Sequence, residues 1–185
     1  MIRVISGKYR HRHLNWPKSN DIRPTMDKVR EAIFSSIRMQ IEGKIALDLF
    51  AGSGSMAIES VSNYAMKAVA VEKDKEAIKV IYENINSLQI NNIDVFNMNA
   101  LSFLKSKTGR IFDYIFVDPP YAEYDLLNEC LRLIKTNNFL STNGLIIVET
   151  NNNNKIEIPQ GLMIQKNKKY GKVHILYISH IEKLN

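Results

Sequence analysis

The sequence predicts a doubly wound α/β fold, a mostly parallel sheet with helices on both faces. Three observations carry the prediction. Short apolar runs alternate with segments of helical periodicity from residue 44 to residue 150. The runs are apolar at consecutive positions, as in strands covered on both sides. A glycine-rich turn joins the first run to the helix that follows it. Strands of this kind pair in parallel through right-handed crossover helices.

The elements follow in order. Residues 2–16 read as short extended pieces around Ser6-Gly7, a basic hairpin that Trp16-Pro17 ends. A helix is expected after Pro24, with Thr25 as its N-cap and Met26, Val29, Ile33 and Ile37 at helical spacing; Gly43 closes it. Strands are predicted over residues 44–50, 67–72, 93–98, 112–118 and 144–150, and helices over 56–63, 75–88, 101–107 and 124–135. The asparagine tract 151–154 reads as a loop. The runs 162–165 and 173–179 have no helix between them, so they are expected to form an antiparallel hairpin joined by KNKKYGK. The 185 residues fit one domain: a hairpin extension over 1–24 on a core over 25–185.

Apolar residues at 45% and charged residues at 24% are ordinary for a soluble chain. The single cysteine, Cys130, excludes an intramolecular disulfide framework and a cysteine-based zinc cluster, and it is expected to be packed in an amphipathic helix. No apolar stretch approaches the roughly 18–20 residues of a membrane span. The basic N-terminus lacks the apolar centre of a secretion signal. A cytoplasmic protein without a membrane partner is expected. The formal charge of +6 is concentrated: residues 1–30 hold eight Lys or Arg and two acids, and the remainder holds 17 of each sign. Such segregation points to a polyanion, most often nucleic acid, or to a solvated basic arm.

Phe50-Ala51-Gly52-Ser53-Gly54 follows the first strand and opens a helix. Glycines there permit close backbone approach, and the amides of a helix start favour an anionic group. Glu72 ends the next strand, 20 residues after Gly52, where a carboxylate can accept bonds from ribose hydroxyls. Together these features predict a ribose-bearing cofactor. Gly52-Ser-Gly54-Ser-Met-Ala57 also satisfies the GxGxxA pattern of nicotinamide cofactors. Asp48 weighs against that option: it would repel a pyrophosphate but suits the cationic end of an amino-acid-bearing ligand such as S-adenosylmethionine. Asn99-Ala100, at the end of the third strand, offers an acceptor for an adenine amino group.

Asp118-Pro119-Pro120-Tyr121 follows the fourth strand, and its position predicts that it faces the same strand-end crevice. Two prolines fix the backbone and remove two donors. What remains is a carboxylate, the carbonyls after it and a flat ring, a set suited to a planar exocyclic amine. Holding the amine hydrogens directs the nitrogen lone pair, and positioning supplies much of the rate. No metal is expected.

LDLFAGSGSMAIE, AVEKD and FVDPPY together resemble class I S-adenosylmethionine-dependent methyltransferases that act on exocyclic amines. RVISGKYRHRHLNWP, IRPTMDKVREAIFSSI and KKYGKVHILYI resemble the RsmD family of bacterial 16S rRNA guanine-N2 methyltransferases, over nearly the whole chain. The resemblance implies a seven-stranded Rossmann-like methyltransferase sheet whose last hairpin sets one strand antiparallel. It implies that Asp48, Phe50, Ala51, Gly52, Ser53 and Gly54 meet the methionine part of S-adenosylmethionine. Glu72, with Lys73 beside it, would bind the ribose. Asn99 and Ala100 would meet the adenine, with Asn99 standing where relatives usually have Asp. Asp118 through Tyr121 would hold the amine of one guanine in 16S rRNA, within the small ribosomal subunit or its assembly intermediate. A monomer is expected.

RNA contacts are expected at Lys8, Arg10 and Arg12, whose alternation would put them on one strand face, with His11 and His13 on the other. Arg23 and Arg30 are further phosphate contacts or parts of a helix-start ion-pair network. Lys168 and Lys169, with Lys166 and Lys172, form a basic cluster in the last hairpin. The acceptor motif also suits adenine in DNA or RNA, or a protein glutamine, and a cofactor fold can persist in a non-catalytic RNA-binding assembly factor.

Overall fold

The computed structural model describes residues 2–17, 27–120 and 122–181. The expectations for Thr25, Arg23 and Tyr121 lie outside the described residues.

Seven strands form the main sheet: β3 (Ile45–Asp48), β4 (Lys67–Glu72), β5 (Ile93–Asn97), β6 (Phe112–Val117), β7 (Leu140–Thr150), β8 (Leu162–Tyr170) and β9 (Val173–His180). Their order is β5-β4-β3-β6-β7-β9-β8. The first five run parallel, and β9 lies antiparallel between β7 and β8. The strand order reverses between β3 and β6, which makes their C-terminal ends the switch point where such sheets bind ligands.

Side chains along each strand alternate between two cores. Ala46, Ala68, Ala70, Tyr114 and Phe116 face α1 (Asp27–Ile37), α2 (Ser55–Ser62) and α3 (Lys75–Ser87). Leu47, Val69, Val71, Ile115 and Val117 face α4 (Ala100–Ser106) and α5 (Tyr124–Thr136). Both faces are therefore dry, which explains the continuous apolar runs. Cys130 packs in the second core, and burial pushes its thiol up to about 12, away from the thiolate form.

Three expectations change. β7 begins at Leu140 rather than 144: Leu140 pairs with Phe112, the register shifts, and Leu145 resumes opposite Tyr114. The polar residues between them carry no apolar strand signal, and they sit in this irregularity. β8 continues through KNKK to Tyr170, leaving Gly171 and Lys172 as the turn. β8 is an edge strand, where lysines are tolerated because one side meets solvent.

The N-terminal hairpin is the third. Only β1 (Ile2–Arg3) and β2 (His13–Leu14) pair as strands. Lys8 to His11 form turns, with His11 at φ 68°, so Lys8, Arg10 and Arg12 do not share a strand face. The turns close through bonds such as His11 N–H to the Val4 carbonyl at 2.9 Å. The arm is built into the body: Ile2, Val4 and Leu14 are buried in the first core. Glu59 of α2 accepts bonds from Ile5 N at 2.9 Å, Ser6 N at 2.7 Å and Ser6 Oγ at 2.9 Å.

Candidate active site at the sheet switch point

A cavity of about 930 Å³ opens at the C-terminal ends of β3, β4, β5 and β6. Its lining joins Asp48, Phe50, Ala51 and Gly52 to Glu72 and Lys73, Asn99 and Ala100, and Asp118, Pro119 and Pro120. Asp48 pairs in register with Phe116, so Asp118 lies two residues further along the neighbouring strand. Adjacent strands thus deliver the glycine turn and the Asp-Pro-Pro corner to one rim.

Asp48 is 3% exposed. Its Oδ1 accepts from Phe50 N at 3.3 Å, and among the described residues its Oδ2 has no hydrogen-bond partner. Burial, and less strongly the Glu72 charge, raise it from the ordinary 3.8 to about 7. A buried carboxylate with an orphaned oxygen is complementary to a cation.

Glu72 braces the turn that it faces. Its Oε2 accepts from Gly52 N at 2.8 Å and its Oε1 from Asp74 N at 2.9 Å. Each oxygen keeps a further lone pair for a ligand hydroxyl. The turn is less open to anions than its glycines suggest. Besides the Gly52 amide, the Ala51 amide bonds Val71 O and the Gly54 amide bonds Ala51 O. Gly52 and Gly54 have φ of 53° and 79°, which only glycine adopts without strain. Gly54 and Ser53 do not line the cavity. Ser53 is fully buried, and Gly54 backs onto Ile81, which a Cβ would meet at 3.3 Å. These two shape the turn from beneath.

Asn99 reaches the cavity and also caps α4, its Oδ1 accepting from Ser102 N at 2.8 Å. At the Asp-Pro-Pro corner, the Pro120 carbonyl accepts the Glu123 amide at 3.2 Å, and Ala122 holds a left-handed φ of 69°. That φ costs Ala122 about 1 kcal/mol of backbone strain.

The expected RNA contacts are dispersed. Lys8, Arg10 and Arg12 are exposed, but the arm is pinned to the far end of α2. Lys8 N bonds Ser62 O at 2.7 Å and Tyr9 N bonds Ser62 Oγ at 3.0 Å, about 12 Å of helix rise from the glycine turn. Lys169 is exposed and Lys168 half-buried on β8. Lys169 pairs with His174, and His174 pairs with Thr150 at the end of β7, about 10 Å away across two strand spacings. Arg30 is corrected: its side chain is fully buried, and its Nη2 donates to Asp27 Oδ1 and Arg3 O, both at 2.8 Å. Of the two readings of Arg30, the ion-pair network is the one observed. Burial lowers its pKa, and Glu59 and Asp27 oppose that shift.

The sequence reasoning missed Trp16, which lines the cavity from the N-terminal arm, and Glu149 near the end of β7. Glu149 was findable: like Glu72 it is an acid near a strand's C-terminal end. Trp16 carried no local signal. Among the described residues no group of three or more His, Cys, Asp or Glu is placed to hold a metal ion. None of the described helices is long and apolar enough to cross a membrane.

A doubly wound sheet with β9 inverted between β7 and β8, and a switch-point cavity joining these acids to an Asp-Pro-Pro corner, define a methyltransferase. Comparison with known proteins agrees. The family model described as conserved hypothetical protein 95 matches residues 2–179. The Ribosomal RNA small subunit methyltransferase D of Escherichia coli (strain K12) is 37% identical over 173 residues, covering 93% of this chain and 86% of that protein. Its namesake in Buchnera aphidicola subsp. Baizongia pistaciae is 36% identical over 176 residues, covering 94% and 89%. The solved structure of yhhF from Escherichia coli, a candidate methyltransferase, superposes with a TM-score of 0.88 at 34% identity, covering 98% of this chain and 99% of that one. The chain belongs to this family, the RsmD methyltransferases.

Proposed function

We propose that the chain transfers a methyl group from S-adenosylmethionine to the exocyclic 2-amino group of one guanine in 16S rRNA, within the small ribosomal subunit or its assembly intermediate. One observation carries the reading: Asp48 with its orphaned buried oxygen, Glu72 and the Asp118-Pro119-Pro120 corner line a single cavity. The small-subunit rRNA named in the relatives' descriptions supports the choice of nucleic acid.

The residues present fit the methyl donor. Asp48 would face its cationic amino-acid end, Glu72 its ribose, and Asn99 its adenine. When bound, that cofactor supplies an electrophilic methyl group on a sulfonium. The chain's own residues do the rest. The Asp118 carboxylate and the Pro119 carbonyl accept the hydrogens of the guanine amine; the Pro120 carbonyl is already committed to Glu123. Prolines leave no amide at 119 or 120 to compete for the same acceptors. Fixing both hydrogens favours a more pyramidal nitrogen whose lone pair is less delocalised into the ring and is directed at the electrophile, and alignment lowers the barrier.

The test supplies labelled S-adenosylmethionine with undermethylated small subunits, naked rRNA and DNA, and maps the product. Label on the 2-amino group of one 16S guanine is expected; label on adenine, on protein glutamine or nowhere refutes the proposal. Asp118→Ala is expected to lower transfer at least about 100-fold while leaving S-adenosylhomocysteine affinity nearly intact.

A further inference from the structure

We infer that Trp16, delivered by the N-terminal arm, is the surface on which the target guanine stacks once it has left its RNA helix. The inference rests on the function proposed above and names the seat of its substrate.

The cavity has two halves. Its apolar lining divides between the two cores of the sheet. Met98, Leu101 and Leu126 belong with the α4–α5 side and stand beside Asn99 and Ala100, the half assigned to the cofactor's adenine. Ile33, Met56, Phe116 and Ile147 belong to the α1–α3 side, and Trp16 packs against that core. A volume of about 930 Å³ is at the upper end for a single small ligand. The second half is left for the other reactant.

Trp16 is suited to that half by chemistry and by fixation. It is half-buried: part of the indole rests on the core, and part lines the cavity. Its position does not depend on a loose arm. Asn84 of α3, 1% exposed, accepts from Asn15 N at 2.7 Å and donates to Asn15 O at 3.1 Å. The same amide donates to Ser53 O in the glycine turn at 3.0 Å. One side chain thus ties the residue before Trp16 to the turn that shapes the cofactor half. A base drawn out of a duplex loses its stacking, and an aromatic face restores it. Stacking also sets the base plane, and with it the direction in which the 2-amino group meets Asp118.

Trp16→Ala and Trp16→Phe are compared with the wild type by steady-state kinetics on undermethylated small subunits, and by calorimetry with S-adenosylhomocysteine. Trp16→Ala is expected to lose about 10- to 100-fold in kcat/KM, the range for one lost base stack, and Trp16→Phe to recover most of it. Both should bind S-adenosylhomocysteine as the wild type does. A kcat/KM for Trp16→Ala within about threefold of wild type overturns the inference. So does a matching loss of S-adenosylhomocysteine affinity, which would give the indole to the cofactor, and so does an equal loss in both variants. Trp16 is the sole tryptophan of the chain, so the unmodified protein supplies a second readout. Its emission should be quenched by a short RNA carrying the target guanine, and less by the same RNA with an abasic site there; equal emission overturns the inference. If the wild type methylates no rRNA, the function proposed above fails and this inference with it. If it does and Trp16→Ala matches it, this inference alone fails.

Discussion

At the scale of single residues, Asp48 sets stability against binding. Its carboxyl is buried and raised from 3.8 to about 7, so between those pH values the folded chain holds a proton that the unfolded chain has released. This group therefore makes the cofactor-free protein less stable as pH rises from about 4 through about 7. The ceiling on that penalty is about 4 kcal/mol. Asp48→Asn should stabilise the cofactor-free protein at pH 8.5 by on the order of 1 kcal/mol or more, measured by urea unfolding. The same change should weaken S-adenosylhomocysteine, because the amide carries no charge. In the wild type, calorimetry should find that affinity falls as pH drops from 8 to 6 and Asp48 takes up its proton; in Asp48→Asn that dependence should vanish. Equal affinities and equal pH profiles for the two proteins would remove Asp48 from the binding site. Asn99 shows how one side chain can serve two purposes. Its oxygen caps α4, and its position at the rim still offers the second lone pair and the amide hydrogens to a ligand.

At the scale of elements, the parallel strands and the glycine turn were legible because each has a local cause. Burial on both faces makes the inner strands apolar at nearly every position, and the φ of Gly52 and Gly54 favours glycine. The edge strand β8 was legible only to Gln165, since solvent on one side removes the apolar signal from KNKK. The docking of the arm was illegible, because its partners are distant in sequence: Glu59 meets Ser6 across 53 positions, and Asn84 meets Asn15 across 69. Trp16 was missed for the same reason. Gly7 marks the closest approach of the arm to α2. Its φ is 78°, and a Cβ there would lie 1.9 Å from the Ser62 carbonyl oxygen. Gly7→Ala should therefore lift the arm and cost about 2–4 kcal/mol, with faster tryptic cleavage at Arg10 and Arg12. Gly171→Ala is the control: its φ is 61°, but nothing lies within 4 Å of the added carbon, so only about 1 kcal/mol of backbone strain is expected. Equal thermal shifts for the two variants would show that the Gly7 contact holds nothing in place.

At the scale of the molecule, the exposed or half-buried RNA-contact candidates among the described residues fall into two groups rather than one patch. The loop carrying Lys8, Arg10 and Arg12 hangs at the far end of α2, while Lys168 and Lys169 lie along the β8 edge near the end of β7, the strand that carries Glu149 to the cavity. An RNA that places a base in the cavity and touches both groups must run along the rim and down the α2 flank. Phosphate contacts of this kind orient the substrate and carry no base preference. Each one formed releases counterions, so the affinity of a structured RNA falls with salt by somewhat less than one power per contact. Reversing Arg10 and Arg12 together to Glu should raise KM for undermethylated small subunits and flatten the plot of log KM against log salt by about 1.5. Lys169→Glu should flatten it by about 0.8 on its own. If the two sets act on one continuous RNA, the flattening should add in the triple variant, because groups this far apart share no partner. A slope unchanged by reversal at the arm but reduced by Lys169→Glu would confine the RNA to the rim and leave the arm's charge to solvent; its purpose would then be the delivery of Trp16.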